Sequence, residues 1–181
     1  MPSCGKYQVA AVEQAYQQEY GRHASWIAVA PGRVNLIGEH TDYNDGYVFP
    51  LAIERYTVVA GSRRDESDAA VHVYSLLVDE RADFRLGQLE PERQDWTSYL
   101  RGVFAGFLER GFELCGMNLL VDSNVPLGGG LSSSAALEVA TATLLEAALE
   151  HRLDPIEKAR LCQQAEHKYA GMPCGIMDQF A

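Results

Sequence analysis

Apolar positions near the start of the chain recur at helical spacing. Val9, Val12, Tyr16 and Tyr20 fall on one face, and Gly21 supplies a stop, so residues 5–20 are predicted to form an amphipathic helix. SWIAVAPG (25–32) is then predicted as a strand ending at Pro31-Gly32. GYVFPLAI (46–53) and RYTVVAGS (55–62) predict two more strands, with turn chemistry in NDG (44–46) ahead of the first. VHVYSLLV (71–78) alternates weakly and predicts another. The spacing returns to helical in WTSYLRGVFAGFLERG (96–111), closed by Gly111. GMNLLVDSNVP (116–126) carries a short apolar strand, and SSAALEVATATLLEAALEHR (133–152) predicts a helix whose small residues permit close packing. Asp154-Pro155 reads as an N-cap and first-turn proline of a last helix, running to about Ala170 and stopped by Gly171. Strands, helix, strand, helix, helix in that order predict an α+β fold. The chain finishes on GIMDQFA with no stop signal, so an element is expected to begin at Asp178 and the chain to be a truncated piece of a longer protein.

The 181 residues, 47% of them hydrophobic, suffice for one domain with a real core, here residues 1–181. A formal net charge of −10 argues against nucleic acid as a partner. The four cysteines, Cys4, Cys115, Cys162 and Cys174, form no C-x-x-C pair and read as free thiols of a reducing cytosol. No apolar run has the length of a signal peptide core or a membrane span, so a cytoplasmic protein away from membranes is expected.

Three polar stretches change that picture. VPLGGGLSSSAALE (125–138) sets three glycines and three serines in front of a helix. Glycines let a ligand approach backbone N–H groups, the helix start adds orphan donors and partial positive charge, and serine hydroxyls reach phosphate or a hard cation. No lysine follows as in a P-loop, and neither a dinucleotide fingerprint nor a nucleophile elbow is present. On these residues alone the run is an anion cradle or a structural turn.

APGRVNLIGEHTDYNDG (30–46) crowds Arg33, Asn35, Glu39, His40, Thr41, Asp42 and Asn44 together, a mixture of donors and acceptors that suits a polyhydroxylated ligand or a solvated loop. Its spacing matches no zinc pattern. QQAEHKYAGMPCGIMDQ (163–179) puts Glu166 late in a helix and Asp178 beyond a glycine-containing loop. Each carboxylate could hold magnesium or take a hydroxyl proton; each also has a plain structural role, a solvent-facing residue and an N-cap respectively.

Together the three stretches resemble the GHMP small-molecule kinases, and within them the galactokinase branch. GRVNLIGEHTDY is similar to that branch's signature, VPLGGGLSSSAALE to the family's phosphate-binding motif, and AEHKYAGMPCGIMDQ to its catalytic segment. The resemblance runs from about residue 26 to the end. It implies the family's N-terminal domain, a mixed β-sheet with helices packed on it, and ATP-dependent phosphorylation of the anomeric hydroxyl of galactose, with ATP and Mg2+ required. It further implies Asp178 as proton acceptor with Arg33 beside it, and a sugar site from Glu39, His40, Thr41, Asp42 and Gly175. The ATP phosphates would be wrapped by Gly128, Gly129, Gly130, Leu131, Ser132, Ser133 and Ser134, with Ser134 and Glu166 as magnesium ligands and Trp96 and Tyr99 near the adenine. Family members are longer and carry a C-terminal domain that completes the cleft, so this chain alone is expected to be inactive and its uncovered interface to self-associate. The alternatives are a kinase for a related sugar such as N-acetylgalactosamine or arabinose, a non-catalytic sugar and ATP sensor, and an inactive fragment.

Overall fold

The structure, a computed structural model, describes residues 3–38, 41–44, 46–65, 68–91 and 95–181, with the backbone alone for 3–7. Helix α1 (Ser3–Tyr20) is followed by strands β1 (Trp26–Asn35), β2 (Pro50–Arg63), β3 (Ala70–Ser75) and β4 (Glu80–Arg85). Then come α2 (Thr97–Glu109), β5 (Met117–Ser123), α3 (Ser133–Ala148), α4 (Pro155–Ala165) and the short α5 (Met177–Phe180). The strands make one sheet in the order β1-β2-β5-β3-β4. Only the β3–β5 pairing is parallel. This is the expected α+β architecture with a mixed sheet.

The sheet buries both faces. Helix α1 covers one, where Val12 and Tyr16 pack on Val58, Ala60 and Leu120. Val9 and Tyr20 pack at the edge of this cluster, so the four-residue face read from the sequence is the buried one. Helices α2, α3 and α4 cover the other face, where Phe104, Phe107, Leu119, Leu144 and Leu161 form the larger core. Gly102 and Gly106 of α2 let it press on Ala165 and Leu161 of α4.

Several boundaries differ from the sequence reading. Pro31-Gly32 does not end β1; a β-bulge between Pro31 and Arg33 carries the strand on to Asn35. The two runs at 46–53 and 55–62 are one strand, β2, starting at Pro50, because β1 pairs along its whole length. β3 stops at Ser75 and turns back into β4, an edge strand that the sequence reading missed. Helix α3 ends at Ala148, short of residue 152. The Asp154 cap is as expected, its carboxylate accepting from Ile156 N at 2.9 Å. Cys115, Cys162 and Cys174 are free thiols; the Cys4 side chain lies outside the described residues. Among the described residues, no helix is long and apolar enough to cross a membrane.

The bulge positions the site. Gly32 approaches the end of the glycine-serine loop so closely that a Cβ there would press on Leu131 O and Val125. Arg33 N then donates to Leu131 O at 3.1 Å. The strand is thereby stitched to the loop before the Arg33 side chain leaves it.

Candidate active site

Arg33 ties two distant segments together. Its Nη1 donates to Gly130 O at 2.8 Å. Its Nε donates to Asp178 Oδ1 at 2.7 Å, and Nη2 donates to the same oxygen. Both side chains are mostly buried, at 13% and 19% exposure. The guanidinium fork permits this double engagement; a lysine ammonium could not reproduce its planar geometry.

The loop itself is open. Gly128 and Gly130 have φ of 68° and 66°, the left-handed region where glycine is unstrained. Ser132 holds φ 56° and ψ 48° without that freedom, and its buried hydroxyl has no hydrogen-bond partner among the described residues. Strain and an unsatisfied polar atom at a helix start mark a functional site more often than a resting turn. The first helical bond of α3 runs from Ala136 N to Ser132 O at 3.0 Å, so the amides of Ser133, Ser134 and Ala135 lack an intrahelical acceptor. Exposed glycines, three free amides and a helix dipole make an anion cradle.

Behind the cradle lies Glu166. It begins a π-helical turn, Glu166–Ala170, that widens the end of α4 before Gly171 caps it. Ser134 Oγ donates to Glu166 Oε1 at 2.8 Å, which brings the two expected magnesium ligands together. Glu166 Oε2 accepts from Gln179 Nε2 at 2.9 Å and from Cys174 Sγ at 3.3 Å. Burial, reinforced by the Glu166 charge, pushes the Cys174 thiol up to about 12. Among the described residues, no group of three or more His, Cys, Asp or Glu side chains could hold a metal ion. A hydroxyl and a carboxylate in contact beside a loop able to take an anion do fit magnesium, which takes few protein ligands and fills its shell from phosphate and water.

In the loop before Asp178, Gly175 meets Asp42. A Cβ at Gly175 would overlap the Asp42 carboxylate, so the two residues are in close contact and any larger residue there must displace Asp42. The loop holding Gly175 is pinned, with Gln163 Nε2 donating to Cys174 O at 3.2 Å and Cys174 N donating to His167 Nε2 at 3.1 Å. The Thr41 hydroxyl lies 2.7 Å from Gly38 O and 2.8 Å from Tyr47 O, so its proton is engaged in shaping its own loop. Glu39 and His40 lie outside the described residues.

Trp96, Leu77, Val78, Leu127, Ser133 and Leu137 line a mostly apolar pocket beside the loop and the start of α3. Tyr99 is not among its lining residues; its phenol is raised by burial and then by the charge of Glu166 on the carboxylate side.

Comparison with known proteins bears on this geometry. A model of the galactokinase galactose-binding signature matches residues 14–63, and a model of the GHMP kinases N terminal domain matches residues 98–181. Residues 98–181 thus have the GHMP kinases N terminal domain. A galactokinase of Chloroflexus aurantiacus is 47% identical over 174 residues, covering 96% of this chain and 44% of that protein. The human galactokinase is 46% identical over 178 residues, covering 95% and 45%. The crystal structure of Lactococcus lactis galactokinase complexed with galactose superposes with a TM-score of 0.85 at 34% identity, covering 96% of this chain and 45% of that one. Methanococcus jannaschii mevalonate kinase, at 20% identity and a TM-score of 0.73, shares the fold over 89% of this chain and 51% of its own. The chain thus spans less than half the length of the curated relatives it matches.

Two residues of this site escaped the sequence reading: Gln179 enters it only within the runs GIMDQFA and AEHKYAGMPCGIMDQ, and Glu138 only within VPLGGGLSSSAALE and the helix SSAALEVATATLLEAALEHR, neither singled out. Glu138 was legible in principle: its helical neighbours Ala135, Ala142 and Leu145 are all apolar, so it stands in the buried stripe. Leu77 and Val78 were assigned to a strand but occupy the turn that walls the apolar pocket.

Proposed function

We propose that this chain forms the sugar- and phosphate-binding part of a galactokinase, which transfers the γ-phosphoryl of ATP to the anomeric hydroxyl of galactose, giving galactose 1-phosphate and ADP. The observation that carries this is the Arg33 bridge. It ties a carboxylate, Asp178, through one guanidinium to the carbonyl of Gly130 in the glycine loop. A proton acceptor next to a phosphate cradle is what phosphoryl transfer to an alcohol needs, because that reaction asks mainly for positioning and charge neutralisation.

In this reading the loop from Gly128 to Ser134 holds the triphosphate with its backbone amides, and the adenine enters the pocket beside Trp96. Asp42, against Gly175, binds sugar hydroxyls, joined by the Glu39–Thr41 segment. Asp178 takes the proton of the anomeric hydroxyl as its oxygen bonds to phosphorus and the bond to the ADP oxygen breaks. Arg33 offsets the charge that accumulates between them. Magnesium, held by Ser134 and Glu166, would neutralise phosphate charge.

The exposed apolar side chains Leu36, Ile37, Tyr47 and Phe49 fit a surface that further chain covers, consistent with relatives of more than twice this length. The chain alone is then inactive or nearly so, and that surface promotes self-association in its absence. A cytoplasmic location belongs to the same reading. The test is a chimera in which residues 1–181 are joined to the remainder of the Chloroflexus aurantiacus protein. It is offered galactose, N-acetylgalactosamine, arabinose and mevalonate, and the product is read by 31P NMR. Galactose 1-phosphate is expected; preference for another acceptor would replace this reading.

A further inference from the structure

Glu138 is a carboxyl group with no exposure at all, set in an apolar helix face. No cation pairs with it in any ion pair found among the described residues. Among the described residues, its one hydrogen-bonding neighbour is Gln179 Nε2, 3.4 Å from Oε2. The same nitrogen donates to Glu166 Oε2 at 2.9 Å. Glu138 Oε1 and Gln179 Oε1 are both buried without a hydrogen-bond partner among the described residues. A position that served packing alone would be filled by an apolar residue, as the buried Ala135, Ala142 and Leu145 on the same face are; a buried acid left half satisfied is destabilising and calls for a function. Burial, and then the Glu166 charge, raise its pKa well above 4.5, which favours the neutral acid.

We propose that Glu138 is a positioning residue for phosphoryl transfer: it anchors the Gln179 amide, which in turn orients the Glu166 carboxylate and fixes the short helix bearing Asp178. Gln179 directly follows Asp178, so one amide sets the metal-ligand side and the proton-acceptor side together. The proposal rests on the reading of Glu166 as a magnesium ligand. It assigns Glu138 no contact with substrate. Side chains that orient metal ligands characteristically matter for affinity at a distance.

The test uses the 181-residue chain, with Mn2+ as the probe. Binding of Mn2+ with ATP is followed by loss of the free-ion EPR signal, metal-free ATP binding by calorimetry, and folding by melting temperature. Glu138→Leu is expected to bind Mn2+–ATP about tenfold more weakly, with metal-free ATP binding within twofold of the unaltered chain. Glu138→Gln, which keeps an acceptor for the Gln179 amide and, like the protonated carboxyl, a donor beside it, is expected to retain normal affinity. Gln179→Leu should show the same tenfold loss with Glu138 intact, and the double variant no more than either alone; this arm carries the test if Glu138→Leu does not fold. Unaltered Mn2+–ATP affinity in folded Glu138→Leu or Gln179→Leu overturns the proposal and leaves the metal reading standing. Absence of Mn2+–ATP binding to the unaltered chain would instead remove the metal reading of Glu166, and this proposal with it.

Discussion

Arg33 and Asp178 are 145 positions apart in sequence and joined through Asp178 Oδ1, with Arg33 Nε at 2.7 Å. The same guanidinium holds Gly130 O, so one side chain fastens the proposed proton acceptor to the proposed phosphate loop. Substituting it tests both contacts. Arg33→Lys keeps the charge but loses the fork, and in the chimera should lower kcat about a hundredfold. Denaturant unfolding should report a loss of about 2 kcal/mol, the scale of a hydrogen bond to a charged group. A kcat within threefold of the parent would show that the bridge is structural only.

Gly175→Ala puts a Cβ into the Asp42 carboxylate. The backbone at Gly175 is not in the positive-φ region, so the chain itself tolerates alanine. Asp42 must move instead. The expected outcome is a KM for galactose raised at least about tenfold, with the KM for ATP unchanged, since one displaced polar contact is worth about 1–3 kcal/mol. An equal rise in both constants would place Asp42 outside the sugar site.

Glu138 links stability to pH. Its folded-state pKa lies well above the ordinary value of 4.5, through burial first and the Glu166 charge second. A raised folded pKa means that the native state binds the extra proton. The favourable contribution is fully present below about pH 4.5 and is lost as pH rises through the folded value. Glu138→Gln removes this dependence. Unfolding free energies measured at pH 4.5, 6 and 8 should therefore shift in the variant's favour as pH rises. A difference that stays constant with pH would mean that Glu138 is ionised in the folded chain.

Far from the site, Asp154 caps α4 through Ile156 N at 2.9 Å. Asp154→Ala should cost about 1 kcal/mol of stability, the usual worth of an N-cap. In the chimera it should leave kcat and both KM values unchanged. A fall in activity would tie the α4 start to the site in a way the structure does not show.

How much of this was legible in the sequence follows from what each pattern reports. The α1 face was readable because one helix covers one sheet face, and Val12 and Tyr16 keep strict helical spacing. β4 was missed because an edge strand carries little alternation: in ERADFR only Phe84 is buried. Pro31-Gly32 reads as a stop locally, yet the strand continues because Gly32 is needed for close approach to Leu131, a tertiary demand that no local window contains. The same holds for the site. The glycine-serine run, Arg33 and Asp178 stood out by residue type. That Tyr99 faces the carboxylates while Trp96 faces the apolar pocket depends on how α2 is rotated against α3 and α4, which only packing sets.

The most direct test is galactose-dependent ADP release by the chimera compared with its Asp178→Asn form. Asparagine keeps the size of the side chain but neither accepts the hydroxyl proton nor answers the Arg33 charge. Robust turnover in the parent, reduced on the order of a thousandfold in Asp178→Asn with Mn2+–ATP binding retained, is the expected result. A folded parent chimera without galactose-dependent turnover, or an Asp178→Asn form as active as the parent, would contradict the assignment of this site.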